Sequence, residues 1–242
     1  MDKWTTLNNQ TAGKDKIARF IQYLSRAIWD GLEQRHFDPA LVSQLKTLEY
    51  ILSSFRKLLR FGKCIEVFYS SLRSIHYPDL TIRVSLTLSK LSQSLFLFAD
   101  HMQWLSRTGL FRSIDTKKWN LVANKYWLMA IIMNLVRDLY EIFRLIDLKR
   151  AARASGVTQR CHSIEMSSCR SLGKLALISY SQLHLHKNIV VDTVKNMCDV
   201  FIPLTALGYT KLSPRTVGVL GAISSVAGLL ALIQPDAKLV PT

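Results

Sequence analysis

The sequence predicts an all-α membrane protein, and three observations predict it. Only 10 Gly and 6 Pro punctuate 242 residues, too few for the tight turns of a β-sandwich or for strand-to-helix alternation. Apolar residues return at three-four spacing in one segment after another. Seventeen residues near the C-terminus, Val217 to Ile233, carry no charge. A hydrophobic content of 49% excludes a disordered chain and allows a sizeable core.

From Lys14, residues Ile17, Phe20, Ile21, Leu24, Ala27, Ile28 and Leu32 form an apolar stripe, with Lys14, Lys16, Arg19 and Arg26 on the other side. This is a basic amphipathic helix. Asp38 then supplies an N-cap and Pro39 a first helical position, after which Leu41, Leu45, Leu48, Leu52, Phe55 and Leu59 step by four and three up to Gly62. The last turns of this second helix, Phe55 to Lys63, interleave Arg56, Lys57, Arg60 and Lys63 with Phe55, Leu58, Leu59 and Phe61. A short third helix through Ile65, Phe68, Leu72 and Ile75 stops at His76-Tyr77-Pro78-Asp79.

Residues 81–89 alternate apolar and polar as a strand would. The wider window overrides them: Leu80, Val84, Leu88, Leu91, Leu95, Phe98, Met102 and Leu105 keep helical spacing over seven turns. Its longest uncharged piece, Leu91 to Ala99, falls short of the roughly 20 residues a span needs, so this helix is expected along a membrane interface. Residues 116–150 read as another helix, in which Arg137 and Glu141 are expected to form an i,i+4 pair, the alternative being a functional role for Arg137, Asp138 and Glu141 within a membrane.

Residues 149–174 are basic, Ser-rich and aperiodic, as expected of a flexible linker. Val190, Val194, Met197 and Phe201 mark an amphipathic helix ending before Pro203. Val217 to Ile233 would cover about 25 Å, enough to cross the thinner bilayers. Its small-residue pairs Gly218/Ala222 and Ser224/Gly228 are expected to hold a second copy of the chain, since small residues let helix backbones meet closely in lipid.

Lys+Arg 32 against Asp+Glu 17 gives a net charge of +15, which points to a phosphate-bearing partner. Nucleic acid is set aside, because the cations are spread over several helices with no recognised reading module. An anionic lipid membrane is the expected partner. A solvated basic face on a soluble helix is the plainer reading of residues 55–63. A second basic amphipathic helix, the net charge and the C-terminal apolar span together favour the membrane. The expected membrane-binding residues are Leu45, Leu48, Leu52, Phe55, Arg56, Lys57, Leu58, Leu59, Arg60, Phe61 and Lys63, with cations toward lipid phosphates and apolar side chains in the acyl region. Those four cations would add about 3 to 4 kcal/mol of attraction at roughly 1 kcal/mol each.

No catalytic chemistry is expected. The Gly-Lys pairs at 13, 62 and 173 lack a P-loop's first glycine and following Ser or Thr, and no GxGxxG, GxSxG or HExxH occurs. Cys64, Cys161, Cys169 and Cys198 have no metal spacing, so neither a zinc site nor a disulfide framework nor any cofactor is expected. The first sixteen residues lack the apolar stretch of a secretory signal, consistent with an intracellular protein.

Several blocks, in order, resemble the peroxin-11 (peroxisomal membrane protein 11) family. They are Asn9-Gln10-Thr11 with Lys14-Asp15-Lys16 and Gln22-Tyr23; Arg56-Lys57-Leu58-Leu59-Arg60-Phe61-Gly62; Met133 to Ile142; and Asp192 to Asn196, Cys198-Asp199, Ile202-Pro203-Leu204 and Leu207-Gly208. The resemblance implies a peroxisomal membrane protein with two spans and both termini in the cytosol. It implies elongation of the organelle before fission, self-association, and a dynamin-like fission GTPase with tail-anchored adaptors as partners. A pore for small metabolites is the alternative activity. Three regions of one unit are expected: a remodelling region at 1–112, a central helix and linker at 113–171, and an amphipathic helix with its anchor at 172–242.

Overall fold

Local capping chemistry cuts the chain into helices at most of the expected places. In a computed structural model, residues 11–109, 115–154 and 187–233 are described. They form seven helices: α1 (Thr11–Gln34), α2 (Pro39–Leu59), α3 (Lys63–Ser74), α4 (Leu80–Arg107), α5 (Thr116–Ala154), α6 (Lys187–Ala206) and α7 (Pro214–Ile233). No strand occurs among the described residues.

Phe37 N–H bonds back to the Leu32 carbonyl at 3.1 Å, closing α1 while His36 takes a left-handed φ of 52°. The Asp38 carboxylate then accepts from Ala40 N–H at 3.0 Å and Pro39 opens α2. Gly62, at φ 78°, makes the sharp turn into α3. Asp79 caps α4, accepting from Thr81 N–H at 2.9 Å and Ile82 N–H at 3.3 Å. Those two bonds and the Tyr140 hydroxyl hold its carboxyl below the usual range, with the Tyr140 bond the largest cause.

Two boundaries differ from expectation. Helix α6 does not stop before Pro203 but runs through it to Ala206, ending where Gly208 turns left-handed at φ 83°. Pro203 removes one backbone donor, but its ring is fully buried and packing holds the helix together across it. Helix α5 continues to Ala154, so the first residues of the expected 149–174 linker are helical; residues 155–174, including Cys161 and Cys169, lie outside the described residues.

The helices close into a ring. α1 packs on α2 and α7, α7 on α6, α6 on α5 and α5 on α4, with α3 also on α4 and α2 touching α4 sparsely. Two small apolar clusters tie it together. Phe96, Leu97 and Ala99 of α4 meet Ala123 and Trp119 of α5, while Tyr23 of α1 meets Ile202 of α6 and Val217 of α7. Trp127 touches both clusters and stacks on Phe96 with ring centroids 5.7 Å apart.

Candidate functional site

The apolar stripes that predict the helices point outward. On α1, Ile21, Leu24 and Ile28 are exposed while Arg19, Gln22, Ser25 and Asp30 are buried. On α4, Leu80, Val84, Leu88, Leu95 and Phe98 are exposed while Ser85, Ser89, Ser92 and Ser94 are buried. Among the described residues more polar or charged side chains are buried than apolar ones. In water, each large apolar side chain left exposed forgoes about 1.5–3 kcal/mol of burial. Apolar exposure on this scale marks a surface made for lipid or a partner.

The outward apolar surface is most continuous where α2 runs into α3. Phe55 is 44% exposed, Leu58 48% and Phe61 58%, and Ile51, Ile65, Phe68 and Leu72 extend the face. Leu48 is also exposed, whereas Leu45, Leu52 and Leu59 are half-buried. Thus the apolar members of the expected membrane-binding set do reach the outside, although not all to the same extent.

Three of its cations do not. Lys57 is buried, with its ammonium 3.0 Å from Asp100 and donating to the Gln103 side-chain oxygen at 2.5 Å. Arg56 bonds Asp15 at 3.0 Å and the Gln22 side-chain oxygen at 2.8 Å. Arg60 lies 2.9 Å from Asp100 and 3.6 Å from Asp15. Only Lys63 of the four is exposed. The expectation that Arg56, Lys57 and Arg60 face lipid phosphates is therefore corrected. Residues 56, 57 and 60 share one side of the helix, and acids from α1 and α4 meet them there.

A second set of polar groups joins α5 to α6. Arg137 pairs with its neighbour Asp138 at 2.7 Å and with Asp192, and Asn196 donates to Asp138 at 2.8 Å. The expected Arg137–Glu141 pair is not formed: Arg137 turns to α6, and a Glu141 oxygen is buried without a hydrogen-bond partner. Arg19 of α1 pairs with Asp199 of α6, and its guanidinium lies 5.5 Å from the centre of the Tyr23 ring and 5.9 Å from that of Trp127.

The small-residue stripe of α7 is used within the chain. A Cβ on Gly218 would lie 2.6 Å from the Ala27 backbone nitrogen, and one on Gly221 would strike the Tyr23 ring. Gly228 faces the Lys16 side chain, Ser224 is fully buried and Ala222 packs against the Tyr23 cluster. Gly218, Ala222, Ser224 and Gly228, expected to hold a second copy, are instead occupied by the chain's own packing, chiefly by α1. Small residues invite close approach but do not say which helix approaches.

Sequence reading missed the acids Asp15, Asp100 and Asp199 as partners. Their signal was available in part, since Asp100 interrupts an otherwise uncharged stretch of α4. The blocks carrying the family resemblance supply most of the interior network, from Asp15 and Gln22 through Arg56, Lys57 and Arg60 to Asp138, Asn196 and Asp199. Among the described residues no group of three or more His, Cys, Asp or Glu could hold a metal ion, and Cys64 and Cys198 are free thiols. α7 is the helix among them long and apolar enough to cross a membrane.

The pattern of the family described as Peroxisomal biogenesis factor 11 (PEX11) matches residues 1–233. Human Peroxisomal membrane protein 11A is 32% identical over 244 residues, covering 99% of each chain. Human Peroxisomal membrane protein 11B is 32% identical over 259 residues, covering 100% of each. Peroxisomal membrane protein PMP30B of Candida boidinii is 23% identical over 232 residues, covering 91% of this chain and 89% of that one. No solved structure matches the chain. An outward apolar surface, a membrane-length C-terminal helix and these full-length relatives agree: the chain belongs to the PEX11 family of peroxisomal membrane proteins.

Proposed function

We propose that this chain elongates the peroxisomal membrane by immersing the apolar face of α2 and α3 in the cytosolic leaflet, anchored by α7, and so promotes division of the organelle. The supporting observation is the run of exposed apolar side chains from Ile51 through Phe55, Leu58 and Phe61 to Phe68 and Leu72 on two consecutive helices. Insertion into one leaflet expands it relative to the other and favours curvature. In this reading Arg56, Lys57 and Arg60 do not bind lipid phosphates directly. Their pairs with Asp15 and Asp100 hold α2 against α1 and α4, so that the apolar side is presented as a rigid wedge. Self-association would use the lipid-facing side of α7, where Val219, Ile223, Val226 and Leu230 are exposed. Both termini would face the cytosol, where a dynamin-like fission GTPase and its adaptors act.

Reconstitution of the full chain in anionic liposomes, followed by electron microscopy, tests this. Phe55→Ser, Leu58→Ser and Phe61→Ser together should abolish tubulation while leaving the helical circular-dichroism signal intact. Tubulation equal to the native chain's would reject the wedge. The polar interior favours a second reading, a pore for small metabolites. That reading requires conductance in planar bilayers, which the wedge does not.

A further inference from the structure

The helix ring borders a half-open cavity of about 840 Å³, within the roughly 300–1,000 Å³ that hold organic ligands. Its buried charges do not balance. Lys16, Arg19, Arg56, Lys57 and Arg60 face Asp15, Asp100 and Asp199 there. Asp15 already serves Arg56 and Arg60, Asp100 serves Lys57 and Arg60, and Asp199 serves Arg19. Lys195, also on the wall, is committed to Asp192.

Lys16 is the cation left over. Among the described residues no hydrogen bond or ion pair reaches its ammonium, although Arg19 and Lys195 are its charged neighbours along with Asp199 and Asp15. Its side chain lies against α7, with Nζ 3.1 Å from where a Cβ on Gly228 would stand. Arg19, itself buried, keeps an Nε without a partner on the same wall. Burial, with Arg19 and Lys195 nearby, pushes the Lys16 amine down to about 7, and an anion brought between it and the partnerless Arg19 Nε favours its charged form. Of these five cations Lys16 alone has no carboxylate, and a phosphate monoester, about −1.5 to −2 at neutral pH, supplies the missing acceptor. Trp127 offers an apolar face and Asn124 an amide to the rest of such a molecule, and exposed Gly62 and Lys63 stand at the rim.

We propose that this interior cavity binds the phosphate-monoester group of an organic ligand, anchored by Lys16 and Arg19. The ligand is a lipid headgroup or a soluble phosphate ester, which share this chemistry. The site does not depend on whether the protein bends membranes.

Isothermal titration of the full chain in phosphatidylcholine nanodiscs tests it with two probes, glycerol 3-phosphate and dihexanoyl phosphatidic acid. Saturable binding is expected, weakened by about tenfold or more in Lys16→Gln and by less than about threefold in Lys117→Gln, an exposed lysine away from the cavity. Tight binding of the phosphatidic acid alone assigns a lipid ligand, and comparable binding of both assigns the phosphate ester itself. Failure of both probes to bind, or equal binding by Lys16→Gln, overturns the proposal. Should Lys16→Gln not fold, amine acylation of the native chain replaces it. The bound probe should shield Lys16 from the reagent, and an unshielded Lys16 overturns the site equally.

Discussion

Arg19 and Asp199 sit 180 positions apart in sequence and share one buried contact, so each is the reason the other is tolerated. Removing one partner of such a pair leaves an uncompensated charge, at a cost of about 3–5 kcal/mol, whereas replacing both with apolar residues is often neutral. Arg19→Met alone should therefore lower the unfolding midpoint in detergent sharply. Arg19→Met with Asp199→Leu should recover most of the loss, and a double variant no better than the single would show that Arg19 acts otherwise. The glycines of α7 give a second contrast. Gly218→Ala sets its methyl against α1 backbone and should cost about 1–3 kcal/mol as overpacking. Gly228→Ala meets only the flexible end of Lys16 and should cost much less in the same assay. At Asp79 the depressed carboxyl stabilises α4 above the ordinary carboxylate range, about 3.9, and this contribution is lost as the pH falls through the lower folded value.

At the level of elements, Asp38-Pro39, Gly62 and the three-four spacing of 80–105 were legible because capping and periodicity are local properties. The side of each helix that faces inward was not. The stripe Leu80, Val84, Leu88 establishes a helix equally well whether it lies in a core or in lipid, and the same holds for the basic turns of α2. The deciding information is long-range: Asp15 and Asp100 meet Arg56, Lys57 and Arg60 only after α1, α2 and α4 assemble. Pro203 misled for a related reason, since its local cost is outweighed by burial that the surrounding residues do not reveal. Exchanging Arg56, Lys57, Arg60 and Lys63 for Glu should consequently unfold the α2 region, seen as rapid amide hydrogen exchange through 40–60. A protected α2 in that variant would return the cations to the surface. Asp79→Ala should remove the α4 cap and speed amide exchange in its first turn.

For the whole molecule, the family and the helical class were readable from blocks of residues spread along the chain, while the inverted arrangement, polar within and apolar without, emerges only from the ring. It gives the small residues of α7 an intrachain role. The central claim is that the outward apolar faces contact lipid acyl chains. Spin labels placed singly at Phe61, Phe68, Val84 and Val136, and at Ser89 as an inward control, measure this directly in liposomes through collision with oxygen and with a water-soluble nickel chelate. The outward sites should favour oxygen strongly and Ser89 should not; outward sites that collide with nickel as readily as a label in water would contradict the account.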